Sequence, residues 1–168
     1  DHASRHADTH NPTQYTLDLS KLAAGDEKRT TLMVRNIPNK YHRKMLLSKF
    51  EARHKGTFDF FYLPMDFQNG CNLGYCFLNM KDPSLIIPFC NTFHFKKWDR
   101  FNSEKVCEVS FARMQGLNFL LSHFANSSII HEDALLQPLV FESSSDKHAS
   151  LGQALADLAF GEGVLAQY

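Results

Sequence analysis

Two short segments, Leu32-Met-Val-Arg-Asn-Ile37 and Asn72-Leu-Gly-Tyr-Cys-Phe-Leu-Asn-Met80, constrain this chain more than anything else in it. Both have the apolar pattern of a strand, in which successive side chains point to opposite faces of a sheet. Tyr75 and Phe77 therefore project together from one face, and Cys76 and Leu78 from the other. Two neighbouring aromatics on an open face call for a partner. The flat bases of single-stranded RNA suit them, because every base offers a π face and each stack is worth roughly 1–3 kcal/mol.

Periodicity sets out the rest of the chain. Residues 1–14 are polar and irregular and are expected to form a disordered tail. Tyr15 to Gly25 reads as a short ordered lead-in. The first strand, Thr31 to Ile37, ends at Pro38, which has no N–H for the ladder. His42 to His54 has helical spacing, with Met45, Leu46 and Phe50 on one side and Arg43, Lys44 and Arg53 on the other. Thr57 to Phe67 is an aromatic strand, with Phe61 and Leu63 inward and Phe60 and Tyr62 outward. Asn69-Gly70 marks the turn into the strand at 72–80.

Asp82-Pro83 supplies a helix cap followed by Pro at the first helical position. Leu85, Ile86, Phe89 and Cys90 form that helix's buried stripe, and Pro88 is expected to kink it. Phe93, Phe95 and Trp98 are expected to anchor the long loop at 94–104. Lys105 to Arg113 alternates as a fourth strand with Val109 and Phe111 inward. Leu117, Leu120, Leu121 and Phe124 give an additional amphipathic helix, expected on the domain's flank and not across Tyr75 and Phe77. Gln137 to Glu142 is a short extended segment. Leu151, Leu155, Leu158 and Ala159 recur at helical spacing.

The order strand, helix, strand, strand, helix, strand implies an α+β, ferredoxin-like βαββαβ fold. It has a four-stranded antiparallel sheet, two helices on one face and an extra C-terminal helix. The domain is expected over 15–142, with 143–168 as linker and flexible tail. The chain is large enough to bury a core without disulfides or metal. Its lack of an apolar run long enough for a membrane span points to a soluble, intracellular protein.

The net charge is zero, but the distribution is not even. Residues 28–115 hold 15 Lys and Arg against 7 Asp and Glu, a net of +8, while the remainder holds 3 against 11. A basic body between acidic ends is what phosphate binding leads one to expect.

The signature strand resembles the RNA-recognition motif, whose consensus runs basic, Gly, aromatic, small, aromatic, apolar, any, aromatic. Gly74, Tyr75, Cys76, Phe77 and Leu78 fit it. Leu73 stands where a basic residue is expected, Met80 replaces the last aromatic, and Met33 occupies the third stacking position. Methionine is polarizable and can lie under a base, though it holds one less firmly than Phe or Tyr.

Further strings narrow the resemblance: Arg29-Thr-Thr-Leu-Met-Val-Arg-Asn-Ile-Pro-Asn-Lys-Tyr41, Lys55-Gly-Thr-Phe-Asp-Phe60, Phe101-Asn-Ser-Glu-Lys105, Ala112-Arg-Met-Gln-Gly116 and Asn126-Ser-Ser128. With them, Tyr15 to Phe141 resembles the C-terminal RNA-recognition motif of the Mei-two-like family, RNA-binding regulators of meiosis and development. The resemblance implies a non-catalytic, sequence-reading binder of single-stranded RNA within a longer post-transcriptional regulator of the nucleus or cytoplasm. It implies that Tyr75 and Phe77 stack bases, with Met33 in the weaker position. Arg35, Asn79 and Ser110 would offer hydrogen bonds from the same face, and Arg113 and Gln115 would hold a base edge. Tyr62, outward on the neighbouring strand, completes the set.

The alternative is a protein-interaction domain whose sheet is covered by the extra helix, with that helix or the tail meeting a partner. An enzyme is not indicated, since no phosphate-cradling loop, zincin helix or nucleophile elbow is recognisable. No cofactor or metal is expected. Cys71, Cys76, Cys90 and Cys107 lack paired spacing and are expected as reduced, mostly buried thiols. His2, His6 and His10 recur every fourth residue, but Asn11-Pro12 argues against the helix that would align them.

Overall fold

The computed structural model describes residues 13–143, 145 and 147–165, with side chains as far as Ala159. The histidine pattern at His2, His6 and His10, and the expected tail up to residue 12, lie outside the described residues.

The lead-in is ordered. Helix α1 (Leu19–Ala24) starts where Asp18 accepts the amides of Ser20 and Lys21, and it buries Leu22 on the domain. The Tyr15 carbonyl accepts the Phe111 amide at 2.8 Å, which ties the segment to the edge of the sheet. There follow β1 (Thr31–Arg35), α2 (Arg43–His54) and β2 (Phe58–Tyr62). A small hairpin of β3 (Met65–Asp66) and β4 (Cys71–Asn72) comes next, then β5 (Tyr75–Met80), α3 (Ile86–Phe93) and β6 (Glu108–Phe111). The hairpin turns at Asn69-Gly70, where Gly70 takes a φ of 68° that a side chain would resist.

Strands β6-β1-β5-β2 lie side by side and antiparallel, with α2 and α3 packed on one face, so the expected α+β, ferredoxin-like core is present. Its centre is Phe50, whose ring meets those of Phe61, Phe89 and Phe93 at 6.1, 5.4 and 5.1 Å. Val109, Phe111, Phe61 and Leu63 all point into this core, as alternation predicts. Pro88 does not interrupt its helix, which runs on to Phe93. A 3-10 turn over Pro83–Leu85 takes up the capped start, so Pro88 falls in the first turn of α3, where its missing N–H has no intrahelical partner to lose. Phe93 and Trp98 anchor the 94–104 loop as expected, whereas Phe95 is 70% exposed; its φ of 60° turns the ring away from the core.

The chain then extends the sheet. Strand β7 (Leu139–Phe141) pairs with β2, and β8 (His148–Ser150) pairs with β7, giving six strands in the order β6-β1-β5-β2-β7-β8. Helix α5 (Leu151–Leu165) follows. Much of the stretch read from sequence as linker and flexible tail is thus structured, and Leu151 is fully buried. A three-residue strand beside a serine run carries no alternation to read.

Helix α4 (Leu117–Ala125) departs from the expected flank position. It lies on the sheet itself, over β2, with Phe124 stacked on Phe60 (5.7 Å, 24°) and edge-on to Tyr62 (4.9 Å, 71°). The cause is β7: placed beside β2, it sets Val140 next to Phe60 and widens the apolar floor that the stripe of α4 can bury. Phe60, Leu120, Phe124, Ile129 and Leu151 form a second core there, on the face opposite α2 and α3. Among the described residues no helix is long and apolar enough to cross a membrane.

Candidate nucleic-acid interface

Strand register decides which side chains share the second face. Met33 stands opposite Phe77 on β5 and opposite Ser110 on β6, while Phe77 stands opposite Tyr62 on β2. This makes one row: Ser110, Met33, Phe77, Tyr62. A second row carries Glu108, Arg35 and Tyr75. A third carries Thr31, Asn79 and Phe60. All nine residues expected at the site lie on these rows or in the segment just after β6, but the structure divides them into three groups.

The first group is open. Met33, Arg35, Tyr75 and Phe77 are half-buried. The rings of Tyr75 and Phe77 meet edge to face at 5.6 Å and 75°, which holds both in place. The Arg35 guanidinium donates to Ser110 Oγ at 2.9 Å and lies 3.9 Å from Glu108 Oε1, while its Nε has no partner among the described residues. Arg113 is exposed, with its guanidinium 5.8 Å from the Tyr15 ring.

The second group is roofed. Tyr62 lies under Phe124, and burial raises its phenol pKa, helped by the nearby Tyr75 phenol and the Glu132 carboxylate. The roof reaches Phe77 at its edge. Tyr75 lies beyond it.

The third group is engaged in holding the fold. Asn79 is 4% exposed; its Oδ1 accepts from the hydroxyls of Thr30 and Thr31, both at 2.8 Å, and its Nδ2 donates to Asp59 Oδ1 at 2.9 Å. Gln115 is similarly committed. Its Oε1 accepts the amides of Thr30 and Thr31 at 3.1 and 3.0 Å, and its Nε2 donates to the carbonyls of Thr31 and Ala112, both at 2.9 Å. One side chain thereby continues the pairing that β6 gives β1. Ser110 is 5% exposed beneath Arg35.

The sequence reading missed the roof residues Phe60, Phe124, Ile129 and Leu151 as neighbours of the platform. The stripe of α4 was legible; what it would cover was not. The cysteines are free thiols, and burial drives Cys90 and Cys107 up to about 12 and Cys76 well above its usual value, which keeps them protonated and unreactive. Cys71 is half-buried.

Comparison with known proteins bears on this geometry. The family described as RNA recognition motif 2 matches residues 29–125. Protein MEI2-like 4 of Oryza sativa subsp. japonica is 54% identical over 133 residues, which make up 79% of this chain and 13% of that protein. Protein MEI2-like 3 of Arabidopsis thaliana is 52% identical over 135 residues, 80% of this chain and 18% of that protein. The chain thus spans a small part of the length of these relatives. Among solved structures, the Rna15 RRM with bound RNA (GU) is similar with a TM-score of 0.44 and 13% identity, over 57% of this chain and 97% of that one. The Sex-lethal RNA recognition domains 1 and 2 from Drosophila melanogaster give a TM-score of 0.42 and 21% identity, over 50% of each chain.

Proposed function

This chain belongs to the RNA recognition motif 2 family, in the form found in the MEI2-like proteins, and we propose that it binds single-stranded RNA on the open half of its sheet. The observation that carries the reading is the half-exposed pair Tyr75 and Phe77, fixed edge to face beside Met33 and the Arg35 guanidinium. Rings, a thioether and a cation on one flat surface have the chemistry of base recognition, and they offer no nucleophile paired with a base. Lys40, Lys105 and Arg113, exposed near the ends of β1 and β6, supply charge for phosphates. A role in post-transcriptional regulation of meiosis or development, in nucleus or cytoplasm, is part of the same proposal and rests on the family resemblance. The direct test is crosslinking of the chain to a random single-stranded RNA pool. The expected result is nucleotide adducts on peptides carrying Tyr75 and Phe77; adducts confined to other surfaces would reject the reading.

A second reading, a protein-interaction domain, is favoured by one observation: α4 already covers Phe60 and Tyr62. In that reading the partner meets the outer side of the roof, where Phe119 and Leu158 are exposed. Weak or absent RNA binding together with intact folding would select it.

A further inference from the structure

The sheet's edge beyond β6 carries an aromatic pair that lies outside the platform. β6 is the last strand on its side, and the chain at 94–97 runs antiparallel along 106–109 in the place of a further strand. His94 Nδ1 accepts the Val109 amide at 2.9 Å, the Phe95 amide donates to the Cys107 carbonyl at 2.8 Å, and the Cys107 amide donates to the Lys96 carbonyl at 2.8 Å. Glu108, Arg35 and Tyr75 form one row across β6, β1 and β5. His94 and Phe95 stand at the outer end of that row, three strand spacings or about 14 Å from Tyr75. The neighbouring positions tie this edge to the platform. Cys107 and Val109 point into the first core, so Val106 follows Ser110 and Glu108 on the open face, with Lys97 opposite it. Asn36, next to Arg35, donates from Nδ2 to the Val106 carbonyl at 2.9 Å.

Phe95 is 70% exposed, yet its ring is held. It lies on the His94 imidazole with centroids 3.8 Å and planes 30° apart, and the Val109 amide fixes that imidazole in turn. The backbone at Phe95 has a φ of 60°, which glycine or asparagine adopts far more readily than an aromatic residue. The fold thus keeps a large apolar ring in solvent on a strained backbone, with no burial to offset the strain. The charge along this edge is basic. Lys96 donates to the Asn91 carbonyl and Lys105 to the Ile37 carbonyl, neither of them an acid, while Lys97 pairs with Glu104 at 2.8 Å and Arg35 lies 3.9 Å from Glu108. A flat ring backed on one side, beside cations that can hold phosphate, is the arrangement that stacks a base of a single strand. The apolar side chains exposed here, Phe95 and Val106, offer little area to a protein partner, whereas one ring suffices for a base.

We propose that Phe95 is a further base-stacking residue, taking a nucleotide beyond those on the platform as the strand runs outward from Tyr75 over Arg35 to the edge of β6. The proposal rests on RNA binding at the open half of the sheet. The test is fluorescence anisotropy of the full chain with random-sequence single-stranded RNA pools of four and of ten nucleotides. Phe95→Ala should weaken binding of the longer pool about fivefold or more, as loss of one stack requires, and leave the shorter pool, which fills only the platform, within about twofold. Phe95→Trp should bind the longer pool at least as well as the parent, whereas Phe95→Leu, apolar but not flat, should behave like Phe95→Ala. The ring is exposed, so all three variants should keep the parent's urea midpoint, and affinities are compared between folded chains. Parent-like binding of the longer pool by Phe95→Ala or Phe95→Leu, or an equal loss on both pools, overturns this proposal; the platform reading stands if Tyr75→Ala weakens both pools. Absence of binding of either pool by the parent overturns the platform reading, and this one with it.

Discussion

Over β1 and β5 the second face of the sheet leaves Tyr75, Phe77 and Met33 half in solvent, whereas over β2 and β7 the same face carries Phe60 and Val140 beneath α4 and α5. Both halves come from the same kind of sequence, strands alternating aromatic and aliphatic residues. What separates them is the chain that follows the fourth strand. An outward aromatic on a strand is therefore free to meet a ligand only where no later element covers it. Here the boundary runs along Phe77, which belongs to both halves.

The comparison can be broken most sharply in the roofed half. Leu120→Glu places a charge where no solvent reaches and no partner waits, and should destabilise the fold by about 4 kcal/mol or more in urea unfolding. A loss under about 1 kcal/mol would mean the roof detaches readily from the domain. The same variant should not bind RNA more tightly than the parent; a clear gain would show that α4 competes for the open half as well.

In the open half the order of effects reverses. Tyr75→Ala should weaken binding to single-stranded RNA about tenfold or more, as loss of one stack requires, and change stability by no more than about 1 kcal/mol. Tyr62→Ala, under Phe124, should show the opposite pattern, losing stability with little change in affinity once corrected for the folded fraction. Equal effects of the two on affinity would erase the division.

Asn79 tests the boundary between binding and holding. Asn79→Ala leaves the hydroxyls of Thr30 and Thr31 without their acceptor and Asp59 without its donor, and should cost about 1–3 kcal/mol of stability. A fall in affinity without that loss of stability would return Asn79 to the base-reading set. The smallest effect expected is a gain. Met33→Phe enlarges the third stacking position and should tighten binding a few-fold, by less than about 1 kcal/mol. No gain would show that the roof's edge at Phe77 already screens that place.

The fold was legible because three of the central four strands have a dry face with strict alternation: Leu32 and Val34, Cys76 and Leu78, Val109 and Phe111 all point into one core, while β2 breaks step between Phe58 and Phe60. The amphipathic stripe of α4 was legible for the same reason. Its destination was not, because β7 and β8 are three residues each and present too short a pattern to be recognised beside polar connections. The polar members of the site carry a different ambiguity. Asn79 and Gln115 sit at positions where a base edge could be read, but a side-chain amide serves a backbone as well as a base, and only the positions of Thr30, Thr31 and Asp59 decide between them.

Gln137 couples parts of the molecule that are otherwise separate in time. Besides donating to the carbonyls of Ile130 and Glu132, it accepts the Gly152 amide at 2.8 Å, at the first turn of α5. A Cβ on Gly152, the second residue of α5, would stand 2.9 Å from the same Oε1, so the glycine lets the helix and the Gln137 amide meet without either shifting. The connection after α4 and the start of the last helix should accordingly open as one cooperative unit, their amides exchanging hydrogen at a common rate well separated from that of the central strands. The rim of the platform would then keep the clock of the C-terminal helix and not that of the sheet it borders.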